Sequence, residues 1–320
     1  MLRHERLAAM VREAPPRPRE SRPVECVDAG SAYCPCQLAE LGYCITCSLL
    51  RGESECYCYW SGSCVWAHSR WGKGEVRQSR RFPILRQVEE CHDGAVLLAV
   101  RVTPSLAAEL RAPGSFVFAR GNGNPHFDTP LAVVRASPET QSILLAYKVI
   151  GPKTESLRGA GTDVWIRGPY WNGITGRRRI LAAKGESCLL VSGGIAASVL
   201  PNVADALLRG GNRVTAVLGK PESSFIRRFL PESGMRVFEM TFPDEKEALR
   251  TVMEEVPCQM VFCAGGAPLA TMVAAISVRA GVSAVFFGAV SQTMCCGEGI
   301  CGACHDRRGC ESIRVCKTLR

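Results

Sequence analysis

The chain has 320 residues, of which 47% are hydrophobic and 22% charged, an ordinary globular balance with room for about two compact domains. Its net charge is +9, but the basic residues are scattered and form no dense block interleaved with aromatic residues. This pattern argues against a nucleic-acid surface and favours docking on acidic partners or cofactor phosphates. The longest apolar runs are too short to cross a bilayer, so no membrane span is predicted.

The eighteen cysteines are concentrated near the two ends of the chain, with eight from Cys26 to Cys64 and six from Cys295 to Cys316. No secretory signal is recognised among the first residues, which are charged, so a cytoplasmic location is expected. In a reducing compartment, cysteines at paired spacings are more often metal ligands than disulfides.

Residues 1–23 are polar and contain four prolines, which predicts a flexible arm. Residues 24–75 are rich in Cys, Gly, Tyr and Trp and show little periodicity, so metal binding is expected to supply the folding energy of a separate Cys-rich module. Zinc, iron–sulfur and plain thiol or redox-disulfide chemistry all remain open for it. The candidate ligands, enough for two four-ligand sites, are Cys26, Cys34, Cys36, Cys44, Cys47, Cys56, Cys58 and Cys64.

Residues 80–175 contain short apolar segments separated by Gly, Pro and Asn clusters, which predict a small antiparallel β-barrel. The predicted strands are Ala95–Val102, Ser115–Ala119, Leu131–Ala136, Ser142–Ile150 and Asp163–Arg167.

Residues 180–288 alternate between strands and helices, which predicts a parallel α/β domain with its ligands at the carboxyl ends of the strands. The predicted strands are Ser187–Ser192, Arg213–Leu218, Met235–Met240, Gln259–Cys263 and Ser283–Phe287. The predicted helices are Pro201–Leu208, Glu245–Glu255, Leu269–Ala280 and a segment around Phe225.

Two glycine turns follow strands of this domain and could flank one crevice. Gly193 and Gly194 come directly after the first strand, where glycines let the backbone approach a pyrophosphate. The full G-x-G-x-x-G pattern is missing, so a purely structural turn remains the alternative. Gly265 follows the strand that ends at Cys263, a residue that could otherwise be an ordinary buried cysteine.

Residues 289–320 carry Cys296, Cys301 and Cys304 in a C-x4-C-x2-C spacing, with Cys316 twelve positions later. This spacing is the plant-type arrangement for a [2Fe–2S] cluster, and the intervening small residues let a loop wrap the sulfurs. A four-thiolate zinc site is the alternative. Cys310 could replace Cys316 as the fourth ligand, and Cys295 is expected to be a bystander. No Ser/His/Asp arrangement or carboxylate pair points to acid–base catalysis, so no catalytic residue is predicted.

From about Phe82 to Cys316 the chain resembles the electron-transfer subunit of type B dihydroorotate dehydrogenase, within the ferredoxin–NADP reductase-like flavoproteins. The segments that carry the resemblance are Pro113–Val117, Tyr147–Gly151, Gly168–Gly173, the Gly193-Gly194 turn and the cysteine loop. The resemblance implies that the barrel binds FAD, the α/β domain receives NAD(P)H, and the cluster passes electrons to a partner oxidoreductase subunit. It places FAD at Thr129, Pro130, Leu131, Tyr147, Val149, Gly151, Lys153 and Thr154, and the nucleotide at Gly193, Gly194, Cys263 and Gly265.

The chain departs from this family at the flavin positions. The family has Arg-Pro-Leu/Ile-Ser where this chain has Thr129-Pro130-Leu131-Ala132, and Gly-Lys-Gly-Thr where it has Gly151-Pro152-Lys153-Thr154. The predicted function is that of an electron-transfer flavoprotein and iron–sulfur subunit, an oxidoreductase component. The alternative is a non-catalytic iron–sulfur or zinc adaptor that kept the fold but lost flavin or nucleotide binding.

Overall fold

The computed structural model describes residues 25–28, 31–33, 77–89, 94–244, 246–256, 258–282, 284–288, 294–299, 301, 303–308 and 311–319. The predicted flexible arm and most of the predicted Cys-rich module lie outside these residues. The candidate ligands outside them are Cys34, Cys36, Cys44, Cys47, Cys56, Cys58, Cys64 and Cys310.

The described part of the chain begins with a two-residue strand, β1 (Glu25–Cys26), and continues with six antiparallel strands that close into a barrel. Around the barrel the order is β2-β3-β6-β5-β4-β7. These strands are β2 (Arg80–Glu89), β3 (Ala95–Arg101), β4 (Phe116–Arg120), β5 (Thr129–Ser137), β6 (Ser142–Lys148) and β7 (Asp163–Tyr170), with helices α1 (Pro104–Glu109) and α2 (Pro152–Arg158) in the connections.

The predicted antiparallel barrel is confirmed, with one strand more than the sequence indicated. The additional strand is β2, which pairs with both β3 and β7 and so closes the barrel. Its segment carries charged residues and Pro83 among few apolar residues. A proline within a run weakens the strand signal, which is why sequence reasoning passed over β2.

Side chains alternate between the inside and the outside of the barrel, as they do along any strand. Leu98 and Leu145 belong to the cluster that fills the interior. Leu97 and Ala146, their chain neighbours, instead join a cluster shared with the second sheet. The outer face of the barrel is therefore buried against the other half of the molecule.

The second sheet has five parallel strands in the order β10-β9-β8-β11-β12, and the predicted parallel sheet is confirmed. Its strands are β8 (Ser187–Ser192), β9 (Arg213–Gly219), β10 (Met235–Met240), β11 (Met260–Ala264) and β12 (Ala284–Phe287). The helices are α3 (Arg177–Ala182), α4 (Leu200–Arg209), α5 (Lys246–Glu255) and α6 (Ala267–Arg279), with 3-10 segments at Gly194–Val199 and Ser224–Phe229. The strand order reverses between β8 and β11, which makes the carboxyl ends of these two strands the expected ligand crevice.

Polar contacts fix the barrel against α4. The Asn202 side chain donates to the Val133 carbonyl at 2.9 Å, and both residues are buried. Arg135 and Asp205 form an ion pair across the same boundary. A buried amide that satisfies a strand carbonyl specifies the relative orientation of the two sheets.

The chain ends in a hairpin, β13 (His305–Arg308) and β14 (Glu311–Arg314), a 3-10 turn at Val315–Lys317, and β15 (Thr318–Leu319). β15 pairs antiparallel with β1, so the two cysteine-bearing ends of the chain meet. Within the described ranges, no helix combines the length and the apolar character needed to span a membrane.

Gly121 is expected to be intolerant of any side chain, because a Cβ there would lie 2.2 Å from the Ser156 carbonyl oxygen of α2. Gly121→Ala should lower the free energy of unfolding by about 1–3 kcal/mol, the usual cost of overpacking. The matched control is Gly159→Ala, directly after α2, where a Cβ would be 3.8 Å from its nearest neighbour. Denaturant unfolding of both variants checks this, and equal midpoints would contradict it.

Candidate functional site

The four C-terminal cysteines predicted as ligands converge in one place. The Cys301 side chain hydrogen-bonds to Cys296, and the Cys316 side chain hydrogen-bonds to both Cys296 and Cys304. Cys304 and Cys316 are buried, Cys296 is half-buried and Cys301 is exposed. The group of four cysteine side chains therefore reaches the protein surface at Cys301.

The loop between these cysteines wraps around sulfur. Gly297 and Gly299 adopt left-handed backbone angles, with φ of +72° and +73°, which glycine tolerates best. The Glu298 and Cys301 amides donate to Cys296 Sγ at 3.3 and 3.5 Å, and the Cys316 amide donates to Cys304 Sγ at 3.4 Å. Such donors orient sulfur ligands and tune a bound metal centre.

The contacts between thiols shift their proton affinities. The hydrogen bond from Cys316 lowers the pKa of Cys304 to about 6. The pKa of Cys316 is raised well above its usual value, because its thiol is hydrogen-bonded to Cys296 and Cys304 and is buried. The two thiols therefore hold their protons with unequal affinity, and metal binding at such a site releases protons.

The arrangement of the thiols bears on which metal centre they fit. The thiol contacts run from Cys301 to Cys296, from Cys296 to Cys316 and from Cys316 to Cys304. Four thiolates divided over two iron atoms are the donor set of a [2Fe–2S] cluster. The residues present fit that group.

An aromatic platform on the barrel supports the cysteine loop. Phe116 and Phe118 from the outer face of β4 and Tyr170 from β7 form one buried cluster with residues of the loop, Met294, Cys304, Val315 and Cys316. The Phe116 and Tyr170 rings stack at 5.1 Å between centroids. A Cβ on Gly297 would lie 2.7 Å from the Tyr170 ring, so glycine also permits this close approach. The platform shields the buried pair of thiols from water.

Arg167 and Tyr170 hold the tip of the cysteine loop by polar contacts. Arg167 donates to the Cys296 carbonyl at 2.7 Å and forms an ion pair with Asp128 at 3.0 Å. The Tyr170 hydroxyl donates to Glu298 at 2.6 Å. Sequence reasoning did not assign these roles, although Tyr170 lies in the Gly168–Gly173 segment that it singled out.

Arg167→Gln is expected to detach the loop from the barrel and to destabilise the protein by about 1.5–3 kcal/mol, the range for hydrogen bonds to charged groups. The control is Arg81→Gln, which breaks an exposed ion pair with Asp163 on the same barrel. Exposed ion pairs contribute less than about 1 kcal/mol to the free energy of unfolding. Thermal unfolding of the two variants, together with their iron content, checks the difference; equal effects would show that Arg167 does not anchor the loop.

A second charged group lies behind the loop and includes residues from both ends of the chain. Asp28 contacts Arg77 at 2.6 Å and also pairs with Lys317, and all three side chains are at most 6% exposed. Burial by itself raises the pKa of the Asp28 carboxyl, but Lys317 and Arg77 outweigh it and hold that pKa below its usual value. Asp28 is therefore charged at neutral pH. The sequence motifs did not predict this cluster of Asp28, Arg77 and Lys317.

The residues assigned to FAD lie along one rim of the barrel. Thr129 begins β5, Val149 and Gly151 follow β6, and Lys153 and Thr154 lie in the first turn of α2. Lys153 donates to the Asp128 carbonyl at 3.1 Å and so joins the α2 turn to the start of β5. Thr154 accepts from the Ile150 and Gly151 amides at 3.0 and 3.3 Å, which fixes the turn itself.

Leu131 and Tyr147 are placed differently, because both side chains belong to the barrel interior. Tyr147 is buried, its hydroxyl has no hydrogen-bond partner among the described residues, and burial raises its pKa to about 12. A cofactor on the outer face of the barrel could contact only the backbone of these two residues.

The outer face of β4 and β5 connects the two halves of the candidate site. Pro130 is paired with Phe118 and Ala132 with Phe116, and paired residues share a face of the sheet. On one side this face carries the cysteine loop, and on the other the 3-10 segment Gly194–Val199 packs on β5 and β6. Phe116 and Phe118 are fully buried on this face, Pro130 and Ala132 are half-buried, and Ile150 after β6 is exposed (87% accessible).

The two glycine turns of the parallel sheet lie side by side. The Gly193 amide donates to the Ala264 carbonyl at 2.9 Å, which links the ends of β8 and β11. A Cβ on Gly193 or Gly265 would lie 2.7 or 2.6 Å from the Leu269 side chain, so both glycines are needed for packing. Gly194 has φ of +67° and open space around its Cα. Of the predicted nucleotide residues, Cys263 is buried within the sheet and Gly194 borders open space.

Two solved structures share the fold of this chain. A chain of the NADH-dependent reduced ferredoxin-NADP oxidoreductase, from work on flavin-based electron bifurcation, superposes with a TM-score of 0.58 at 21% identity, covering 77% of this chain and 87% of that one. The ferredoxin reductase of carbazole 1,9a-dioxygenase in its FAD apo form superposes with a TM-score of 0.52 at 14% identity, covering 66% and 67%. The fold is therefore that of the ferredoxin reductases.

Relatives found by sequence indicate a narrower group of proteins than the shared fold does. The dihydroorotate dehydrogenase B (NAD(+)) electron transfer subunit of Shouchella clausii is 25% identical over 71% of this chain and 88% of its own length. The probable electron transfer subunit of the same enzyme from Methanopyrus kandleri is 25% identical over 73% and 86%. No protein-family model matches the chain. The resemblance predicted from the sequence is thus confirmed.

Proposed function

We propose that this chain is the electron-transfer subunit of a cytoplasmic oxidoreductase complex, and that it passes electrons between NAD(P)H, FAD and a [2Fe–2S] cluster to a partner subunit. The observation that carries the proposal is the continuous outer face of β4 and β5, which has the four-cysteine loop on one side and the glycine-turn segment on the other. The names of the two sequence relatives support it.

In this proposal each part of the chain has one role. Residues 80–175 bind FAD, residues 180–288 receive NAD(P)H, and residues 289–320 hold the cluster. The Cys-rich module at residues 24–75 extends the electron-transfer path or docks the partner, with iron–sulfur or zinc as its metal. A bound flavin supplies the conversion of a two-electron hydride into single electrons, which the cluster carries one at a time.

The side chains of the chain position and shield these groups. Cys296, Cys301, Cys304 and Cys316 are the cluster ligands, with Phe118 and Tyr170 excluding water from the buried side. Pro130, Ala132 and the backbone after β6 offer the apolar surface for the flavin ring, and Lys153 is the cation that could face its diphosphate. The turn at Gly194 leaves open space for the nucleotide beside β11.

The adaptor alternative is motivated by Thr129 and Ala132. With threonine in place of the family's arginine, a charge-assisted contact to the flavin diphosphate is missing. The nearby cations do not replace it freely, because Arg120 and Arg167 both pair with Asp128. The electron-transfer relatives nevertheless favour the flavin-binding subunit.

The test is metal and flavin analysis of the full chain purified without air, followed by anaerobic addition of NADH or NADPH. About one FAD with at least about two iron and two sulfide per chain, and bleaching of the visible absorbance by the nucleotide, is the expected result. More than two iron atoms per chain would indicate that the N-terminal module also binds an iron–sulfur cluster. Zinc in the protein would indicate that this module is a structural zinc site. Absence of flavin together with no bleaching would establish the adaptor instead.

A further inference from the structure

The first described residues of the chain lie directly against the end of the cysteine loop. In the pairing of β1 with β15, Cys26 lies opposite Thr318, and the Val27 amide donates to the Lys317 carbonyl at 2.9 Å. Asp28 therefore meets Lys317, which directly follows Cys316, although the two charged residues are 289 positions apart in the chain.

Four charges are gathered at this junction. Asp28 pairs with Arg77 and Lys317, and Glu298 lies 3.4 Å from Arg77 and 3.5 Å from Lys317. Glu298 also lies 3.6 Å from Arg167, so its charge is shared among three cations, whereas Asp28 pairs with two, Arg77 and Lys317. Glu298 lies within the cysteine loop and Lys317 directly follows the last of the four cysteines, so these charges lie close to the sulfur site.

Burial strengthens the interactions of three of these charges, Asp28, Arg77 and Lys317. The side chains of Asp28 and Lys317 are 1% and 6% exposed, and water screens such charges weakly. Arg77 is also held by the Pro169 carbonyl at 2.5 Å and by the faces of Tyr33 and Tyr170, 4.2 and 4.5 Å from the ring centroids. The Lys317 ammonium contacts Asp28 more closely than it contacts Glu298.

We propose that Asp28 is a positioning residue for the C-terminal cluster: by neutralising Lys317 it sets the cluster's reduction potential, and it joins the N-terminal segment to the strand that follows Cys316. The inference rests on the proposed function, because it requires a [2Fe–2S] cluster at the four cysteines. Reduction adds one electron to the cluster, so an unneutralised ammonium nearby favours the reduced form, and net charge is one determinant of cluster potential.

A double-mutant cycle tests this by redox titration of the full chain, with the EPR signal of the reduced cluster as readout. Asp28→Asn keeps the shape of the side chain and removes its charge, so the potential should shift in the positive direction. Lys317→Met should shift it in the negative direction. Each shift is expected to be on the order of tenfold in the reduction equilibrium, about 59 mV for one electron. The double variant should return close to the wild-type potential.

The controls separate charge from structure. Lys317→Arg keeps the charge and should leave the potential unchanged, as should Glu139→Gln, which removes an exposed carboxylate paired only loosely with Arg111 at 3.8 Å. Absent shifts, or shifts of the same sign in Asp28→Asn and Lys317→Met, would overturn the inference. If both single variants lose iron, recovery of iron in the double variant supports it and no recovery overturns it. A wild-type protein with no [2Fe–2S] signal contradicts the proposed function itself.

Discussion

Cys316→Ser protein purified without air is expected to lose the iron and sulfide of the C-terminal cluster while keeping its flavin. Cys316 is buried on the aromatic platform and is the thiol that contacts both Cys296 and Cys304. Serine is nearly the same size but is a poor ligand for iron, since iron–sulfur clusters are held by thiolates. NAD(P)H should still bleach the flavin absorbance of this variant, whereas transfer to a one-electron acceptor should fall by more than about tenfold.

The matched control is Cys295→Ser, next to the first ligand. Cys295 is exposed, whereas Cys296 contacts two other thiols of the loop. Iron content and electron transfer should remain at the wild-type level in this control. If Cys316→Ser keeps its iron, Cys310 is the fourth ligand, and Cys310→Ser should then produce the loss. If both variants keep their iron, the [2Fe–2S] assignment to this loop is wrong.

The parts of the site that sequence could predict are those encoded by local spacing. Cys296, Cys301 and Cys304 lie within nine residues, and thiols at those intervals can only be brought together by a tight loop, which the glycines permit. The strands of the parallel sheet were predicted for a similar reason. Buried strands such as β8 are continuous apolar runs with glycine turns after them, a local signal that needs no tertiary information.

The contacts that support the loop depend on distant residues and could not be predicted. Arg77 and Glu298 are 221 positions apart, and both contact Tyr170 of β7. In a linear sequence, Asp28 and Lys317 look like two of many surface charges. The structure buries them, and burial changes an ordinary charge into one that can act on its neighbours.

Sequence reasoning also could not assign faces within the barrel. Leu131 and Tyr147 were predicted as cofactor-binding residues because they lie in matching segments, yet their side chains point into the barrel. The register between β5, which carries Leu131, and β6, which carries Tyr147, shifts at an irregularity between Val133 and Arg135. Such an irregularity changes which residues share a face, and it is set by pairing between strands rather than by the alternation within one strand.

Gly194→Asp is expected to weaken NAD(P)H binding by at least about tenfold in KM, whereas Gly194→Asn should change it little. Gly194 follows β8 at the crevice between β8 and β11 and has φ of +67°, and a Cβ added to it would meet no described atom within 4 Å. Asn and Asp are the residues that best tolerate this backbone conformation after glycine. The two variants therefore differ in one charge and share whatever strain the substitution introduces.

A carboxylate at Gly194 would repel the diphosphate of the nucleotide. Two like charges about 4 Å apart repel each other by about 4 kcal/mol at an effective dielectric constant of about 20. A loss of about 1.4 kcal/mol in binding free energy already weakens affinity tenfold. Steady-state reduction of the flavin by NADH and by NADPH measures the effect, and reduction of both variants by a chemical reductant should be unchanged. Equal KM values for the Asp and Asn variants would place the nucleotide elsewhere and leave Gly194 as a structural turn. A large difference would locate the diphosphate beside β8, next to the barrel face that leads to the cysteine loop.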